Sequence, residues 1–230
     1  MSVAATWAII PVKALPAAKQ RLATVLPPLA RQQLVLTMLR RVLSAVAEAG
    51  AIERTLVVTP DAAVAELALG EGAHVLREGR ARGLNAAVRA GLARAVAGAA
   101  RRALVLPADV PLMTASELKG LLASAGGSPR VALVPAADGE GTNAMLLEPP
   151  TAIKPSFGPG SYMRHLAQAL ARRLDVEVLH LPGLARDIDC PRDLERLIDP
   201  ARPLAHFQFL LQHVMKAAPG ETFPAGAEGR

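Results

Sequence analysis

At 230 residues the chain is long enough to bury a substantial core and short enough for a single α/β domain. Hydrophobic residues make up 51% of it, charged residues 20% and aromatics 3%, which excludes gross disorder and calls for an aliphatic core. The single Cys190 excludes an intrachain disulfide, and neither a signal-like N-terminus nor a membrane-length apolar run is present, so a cytoplasmic protein without a membrane partner is expected.

Short aliphatic runs then alternate with helical patterns. Strands are expected at 6–12, 54–59, 73–77, 102–107, 130–135, 143–148 and 176–181, most of them apolar throughout, as suits strands buried on both faces. Between the first two, Leu29, Leu36, Leu39, Leu43 and Val46 recur at helical spacing up to Gly50. A second helix should begin near Asp61, and a third should run from about Leu84 to Ala97. Thr114 and Glu117 read as a capping box opening a fourth.

Strand, helix, strand repeated in this way predicts a three-layer α/β/α domain with a mostly parallel sheet and ligands at the carboxyl ends of its strands. After residue 135 two strands are joined by AADGEGT, too short for a crossover helix, so a hairpin and one antiparallel element are expected. The domain should span 1–199. Residues 200–218 read as a helical extension with Leu204, Phe207, Leu211 and Val214 on one stripe, docked on its own domain or serving a homodimer, and 219–230 as a mobile tail.

The formal net charge of +6 raises nucleic acid as a partner. Basic pairs such as Arg40 and Arg41 or Arg172 and Arg173 are dispersed over separate elements, and few aromatics are available to stack on bases, so a small polyanion fits the charge better.

Two acidic clusters carry the strongest chemical signal: Asp109 in LVLPADVPL, and Asp187 with Asp189 in ARDIDCPRDL. Each lies where a strand runs out into a loop. A lone Asp there is usually a turn former or helix cap, as Asp61 is expected to be. Three carboxylates converging on one point repel unless a cation lies between them, and oxygen ligands without His or Cys suit magnesium.

The loop after the first strand, PVKALPAAKQRL, brings Lys13, Lys19 and Arg21 to where such domains grip a triphosphate. Neither GxxxxGK[ST] nor GxGxxG is present, so basic side chains would take over part of that work. RARGLNAAV offers Gly83 and Asn85 at a helix start, with Arg80 and Arg82 nearby. DGEGTNAM brackets Thr142 with glycines on one side, and PSFGPGSYMRHL puts Gly158 and Ser161 at the start of a helix. Arg164 and His165, one turn on, face either the same ligand or water. No GxSxG elbow and no Cys with a His partner are found, which disfavours covalent catalysis.

In order along residues 6–198, PVKALPAAKQRL, GLNAA, LPADVPL, GTNAMLL, FGPGSYMRH and DIDCPRDL resemble the CofC and FbiD family of guanylyltransferases of coenzyme F-420 biosynthesis. The resemblance implies a fold like that of nucleotide-diphospho-sugar transferases. It also implies a magnesium-dependent reaction of GTP with 2-phospho-L-lactate, phosphoenolpyruvate or 3-phospho-D-glycerate, releasing pyrophosphate and passing the product to the next enzyme.

Carried over by motif, Asp109, Asp187 and Asp189 become metal ligands, and Asp109 with Lys19 the catalytic pair. Thr142, Gly158 and Ser161 surround the phospho-acid, Lys13, Lys19 and Arg21 hold the triphosphate, and Asn85 contacts the nucleoside. The basic GRARG segment and the chain beyond Asp199 depart from the family pattern. The rival readings are a sugar-phosphate nucleotidylyltransferase or glycosyltransferase of the same architecture, a non-catalytic nucleotide sensor, and an RNA-binding module.

Overall fold

The computed structural model describes residues 5–79, 82–123, 128–198 and 204–213. Seven strands form one sheet: β1 (Thr6–Pro11), β2 (Arg54–Thr59), β3 (His74–Arg77), β4 (Arg102–Val105), β5 (Arg130–Pro135), β6 (Thr142–Glu148) and β7 (Asp175–Val178). Their order is β3-β2-β1-β4-β6-β5-β7. β6 runs antiparallel to both β4 and β5, and the remaining pairs are parallel. The hairpin read from AADGEGT is therefore β5–β6.

Alternation along each strand splits the core into two layers. Ala8 and Ile10 of β1 pack with α1 (Pro28–Ala49), α2 (Ala62–Gly70) and α4 (Ala115–Ala123), whereas Trp7 and Ile9 pack with α3 (Leu84–Ala97) and α5 (Ser161–Ala171). α3 lies close enough that a Cβ on Gly91 would come within 2.4 Å of Ile9 Cγ2. Gly50 ends α1 in a left-handed conformation at φ 66°, where a side chain would be strained. Leu29 departs from the expected apolar stripe: it lies in the first turn of α1, exposed, while Leu39, Leu43 and Val46 are buried. The capping box at Thr114 is present, with Glu117 N–H donating to Thr114 Oγ1 and Thr114 N–H to the Glu117 carboxylate.

The segment after the domain is helical, as read from the sequence, but opens in a tighter form. Residues Ala205–Leu210 form a 3-10 helix, followed by helical residues 211–213. With three residues per turn, Phe207 and Leu210 share the inward face and are fully buried, and Leu211 is turned outward. Val214 and the expected tail lie outside the described residues, as does Arg80. Among the described residues no helix is long and apolar enough to cross a membrane.

Phe207 fills the α1 side of the core, which joins the C-terminal segment to the sheet energetically. Phe207→Ala is expected to lower stability by about 3–5 kcal/mol. Urea unfolding followed by circular dichroism measures this, and an unchanged midpoint would show that the segment does not contribute to the fold.

Candidate active site

The sheet reverses its order at β1, which has β2 on one side and β4 on the other. Chains leaving these strands diverge there and open a crevice at the carboxyl edge. The loop after β1 folds into it through two 3-10 turns, Leu15–Ala17 and Gln20–Leu22, pinned by buried Leu15, Ala18, Leu22 and Leu26. Asp61 caps α2 through Ala63 N–H and also accepts Leu15 N–H at 2.9 Å, so the expected helix cap anchors the loop as well.

Between the two turns Lys19 adopts φ 50°, ψ 42°, a left-handed conformation that costs an L residue about 1–2 kcal/mol. It aims the side chain inward. Lys19 Nζ lies 2.7 Å from Asp109 Oδ2 and 2.6 Å from Asp189 Oδ1, and its side chain is 8% exposed. Burial is the largest influence on this ammonium and works to lower its pKa, but the two carboxylates together outweigh it and leave the pKa raised.

The acidic loops are held together by backbone. Ile188 N–H donates to Asp109 O at 3.0 Å, so the DID segment pairs directly with the strand-end Asp. Asp193 accepts from the N–H groups of Asp189 and Cys190 at 3.0 and 2.8 Å, fixing the turn after DID. Before it, Gly183 N–H donates to Glu117 at 2.7 Å. A Cβ on Gly183 would lie 2.4 Å from that carboxylate and 2.5 Å from Leu112 O, so only glycine allows this approach.

Asp187 does not touch Lys19. Its Oδ1 accepts from Asn143 Nδ2 at 3.3 Å, and the same amide donates to Leu184 O. Burial, then the charge of Asp109, raises the Asp187 pKa, with the Asn143 bond opposing. Asn143 reaches this loop because the β5–β6 register shifts: Val134 faces Ala144 and Pro135 faces Thr142, leaving Asn143 as an extra residue.

Among the described residues the three Asp do not close into a ready metal cage. Asp109 and Asp189 instead meet at the Lys19 ammonium that lies between them, and Asp187 stands apart on Asn143. A cleft of roughly 410 Å³ runs from this cluster past Lys13 to Glu78 and Gly83 at the β3 end, a volume suited to a small ligand. Lys13 is exposed at the cleft, and Arg21 is exposed on the second turn of the loop.

On the far side of β6 the start of α5 forms a second cluster. Thr142 N–H donates to Ser161 Oγ at 2.9 Å, and Thr142 Oγ1 lies 3.0 Å from His165 Nδ1. Gly158 and Gly160 carry positive φ, 119° and 66°, in the turn leading into the helix. Arg164, exposed, clamps that turn by donating to the carbonyls of Ser156 and Pro159. His165 meets neither ligand nor water: it is fully buried, with Ser156 N–H donating to Nε2 at 2.8 Å.

Asn85 is likewise occupied. It donates to Phe157 O at 3.0 Å and accepts Phe157 N–H at 2.7 Å, so its amide ties α3 to the α5 turn instead of projecting freely toward a nucleoside. His165 was underrated by the sequence, and the signal that could have raised it is its placement one turn after Ser161 on the same helical face.

A family model described as "Guanylyl transferase CofC like" matches residues 6–212, nearly the whole described chain and past Asp199. The chain belongs to this family. A phosphoenolpyruvate guanylyltransferase from Rubrobacter xylanophilus is 47% identical over 191 residues, covering 83% of this chain and 92% of that protein. A 3-phospho-D-glycerate guanylyltransferase from Phenylobacterium zucineum is 39% identical, covering 81% and 86% respectively.

The fold has a solved counterpart in a nucleotidyl transferase from Methanothermobacter, with TM-score 0.63 at 18% identity, over 85% of this chain and 96% of that one. Membership in the CofC family agrees with the order of motifs along the sequence and with the mixed sheet.

Burial, then the nearby Arg164 charge, lowers the His165 pKa from 6.5 to about 4. Between those values the unfolded chain binds a proton that the folded one does not, so stability falls as pH drops from 6.5 toward 4. The loss at full protonation is about 3 kcal/mol. Chemical unfolding from pH 7 to pH 4 should show it, and His165→Gln should flatten this part of the profile; an equal slope in the variant would assign the effect to other groups.

Proposed function

We propose that this protein transfers the GMP group of GTP to a three-carbon phospho-acid and releases pyrophosphate, a step of coenzyme F-420 biosynthesis. The observation that carries the reading is the convergence of Asp109 and Asp189 on one buried cationic point at the mouth of the crevice. Two polyanions must meet there. Each pair of unit charges about 4 Å apart repels by about 1 kcal/mol in water and about 4 at an effective dielectric of 20.

In the reaction an ionised phosphate oxygen of the acid attacks the α-phosphorus of GTP. The new bond is P–O, the bond to the bridging oxygen breaks, and its electron pair leaves with pyrophosphate. The attacking oxygen already carries charge at neutral pH, so no general base is required, which accords with the absence of an accessible His in the cluster.

Lys13, Lys19 and Arg21 lie on the loop that would take the triphosphate. Lys19 is the catalytic cation in this reading, offsetting charge on the leaving oxygens when released from its carboxylates. The oxygen-only donors Asp109, Asp187 and Asp189 would suit magnesium, a reading supported by the hold of Asp109 and Asp189 on the Lys19 ammonium. Bound there, magnesium would supply positive charge to the transferring and leaving phosphates.

Thr142, Gly158 and Ser161 form the acceptor side in this reading, and Asn85 acts on it by clamping the turn that carries Gly158. Phosphoenolpyruvate is the favoured acceptor, supported by the name of the 47% identical relative.

The test is pyrophosphate release with GTP and magnesium against each of the three phospho-acids, coupled to an enzyme that consumes the product. Release with phosphoenolpyruvate alone is expected, and silence with all three while GTP still binds would overturn the reading. Asp109→Asn should lower turnover at least about 100-fold with an unchanged circular dichroism spectrum. Wild-type rates in that variant would remove Asp109 from the chemistry.

A further inference from the structure

His165 is the only buried titratable group on the acceptor side among the described residues, and its hydrogen bonds fix more than its own position. Ser156 N–H can only donate, so Nε2 must accept. A neutral imidazole has a single acceptor nitrogen, and the proton therefore resides on Nδ1. From there it is donated to Thr142 Oγ1, 3.0 Å away. A charged ring would set two N–H groups against each other at Ser156, and the low pKa keeps the ring neutral.

The consequence falls on Thr142. Its hydroxyl oxygen accepts from His165 and, at 3.4 Å, from the Ser161 hydroxyl, whose own oxygen accepts Thr142 N–H. Acceptor capacity on both hydroxyls is thereby drawn inward, and the Thr142 proton is left to point outward. Of the three, Thr142 is 7% exposed, while Ser161 and His165 are 1% and 0% exposed.

We propose that His165 is a positioning residue that fixes the polarity of the acceptor pocket, making Thr142 a hydrogen-bond donor to an anionic oxygen of the phospho-acid. This rests on the acceptor role given to Thr142 and Ser161 above. The pocket then favours groups that only accept, a carboxylate or phosphate oxygen, over a hydroxyl-bearing neutral group of the same size. The ring also stands edge-on to Phe157, 4.9 Å between centroids, so the same residue holds the turn that carries Gly158.

Two substitutions separate polarity from packing. His165→Asn keeps an amide near the Nδ1 position and can still donate to Thr142. His165→Gln reaches the Nε2 position and can still accept from Ser156, but loses the donor. Steady-state kinetics with phosphoenolpyruvate and GTP should show KM for the phospho-acid raised about tenfold in His165→Gln, the effect of one lost hydrogen bond, with KM for GTP unchanged. His165→Asn should recover most of that loss. A parallel rise in both KM values, or no recovery in the Asn variant, would overturn the proposal.

Nitrogen-15 spectra of the imidazoles in the unmodified protein decide the tautomer without relying on any variant to fold. A proton on Nδ1 is expected, and one on Nε2 would reverse the chain and overturn the proposal. If no phospho-acid supports pyrophosphate release, the assigned activity fails, and the spectra still rule on His165.

Discussion

Carboxylates gathered at one point must have a cation among them, and this constraint organises the molecule's working edge. Asp109 and Asp189 come from segments 80 positions apart in the chain and would separate if left to their own repulsion. The Lys19 ammonium removes that repulsion, and the loop accepts a left-handed residue to deliver it. A surface ion pair contributes little to stability, but the Lys19 ammonium is largely withdrawn from water, so leaving it unpaired would be costly, while Asp109 and Asp189 stay 30% and 45% exposed.

Backbone does the holding that charge cannot. Ile188 pairs with Asp109, Asp193 closes the turn behind Asp189, and Gly183 lets the approaching chain lie against Glu117. At the start of α5, Asn85, Arg164 and His165 bind the carbonyls and N–H groups of one turn from three directions. Both clusters are thus held in place by the fold's own hydrogen bonds. β6 joins them, with Thr142 and Asn143 turned to different neighbours by the register shift.

Much of this was legible in the sequence. All seven strands, the hairpin, the cap at Asp61 and the capping box at Thr114 follow from local pattern, because each depends on residues a few positions apart. Ordered motifs gave the family where no single motif would. What stayed hidden depends on partners distant in sequence. Asn85 finds Phe157 across 72 positions, and nothing near either residue announces it. The tautomer of His165 is set by a backbone N–H whose position only the folded turn defines. The 3-10 winding at the start of the C-terminal segment was not legible because apolar residues at 207, 210 and 211 satisfy two helical periods, and only packing against α1 selects the tighter one.

The direction of β6 has a wider consequence. Its beginning, rather than its end, meets the crevice, and residues 137–140 of the hairpin turn leading to it are exposed and apart from either core layer. The entropy of closing such a turn changes slowly with its length. Ala137 N–H donates to Ala185 O at 2.8 Å and Glu140 O accepts Tyr162 N–H at 3.1 Å, so insertions or exchanges there would be felt both by the loop before Asp187 and by the start of α5. In this architecture one exposed turn is the mechanical link between the acidic loop and the helix that carries Ser161 and His165.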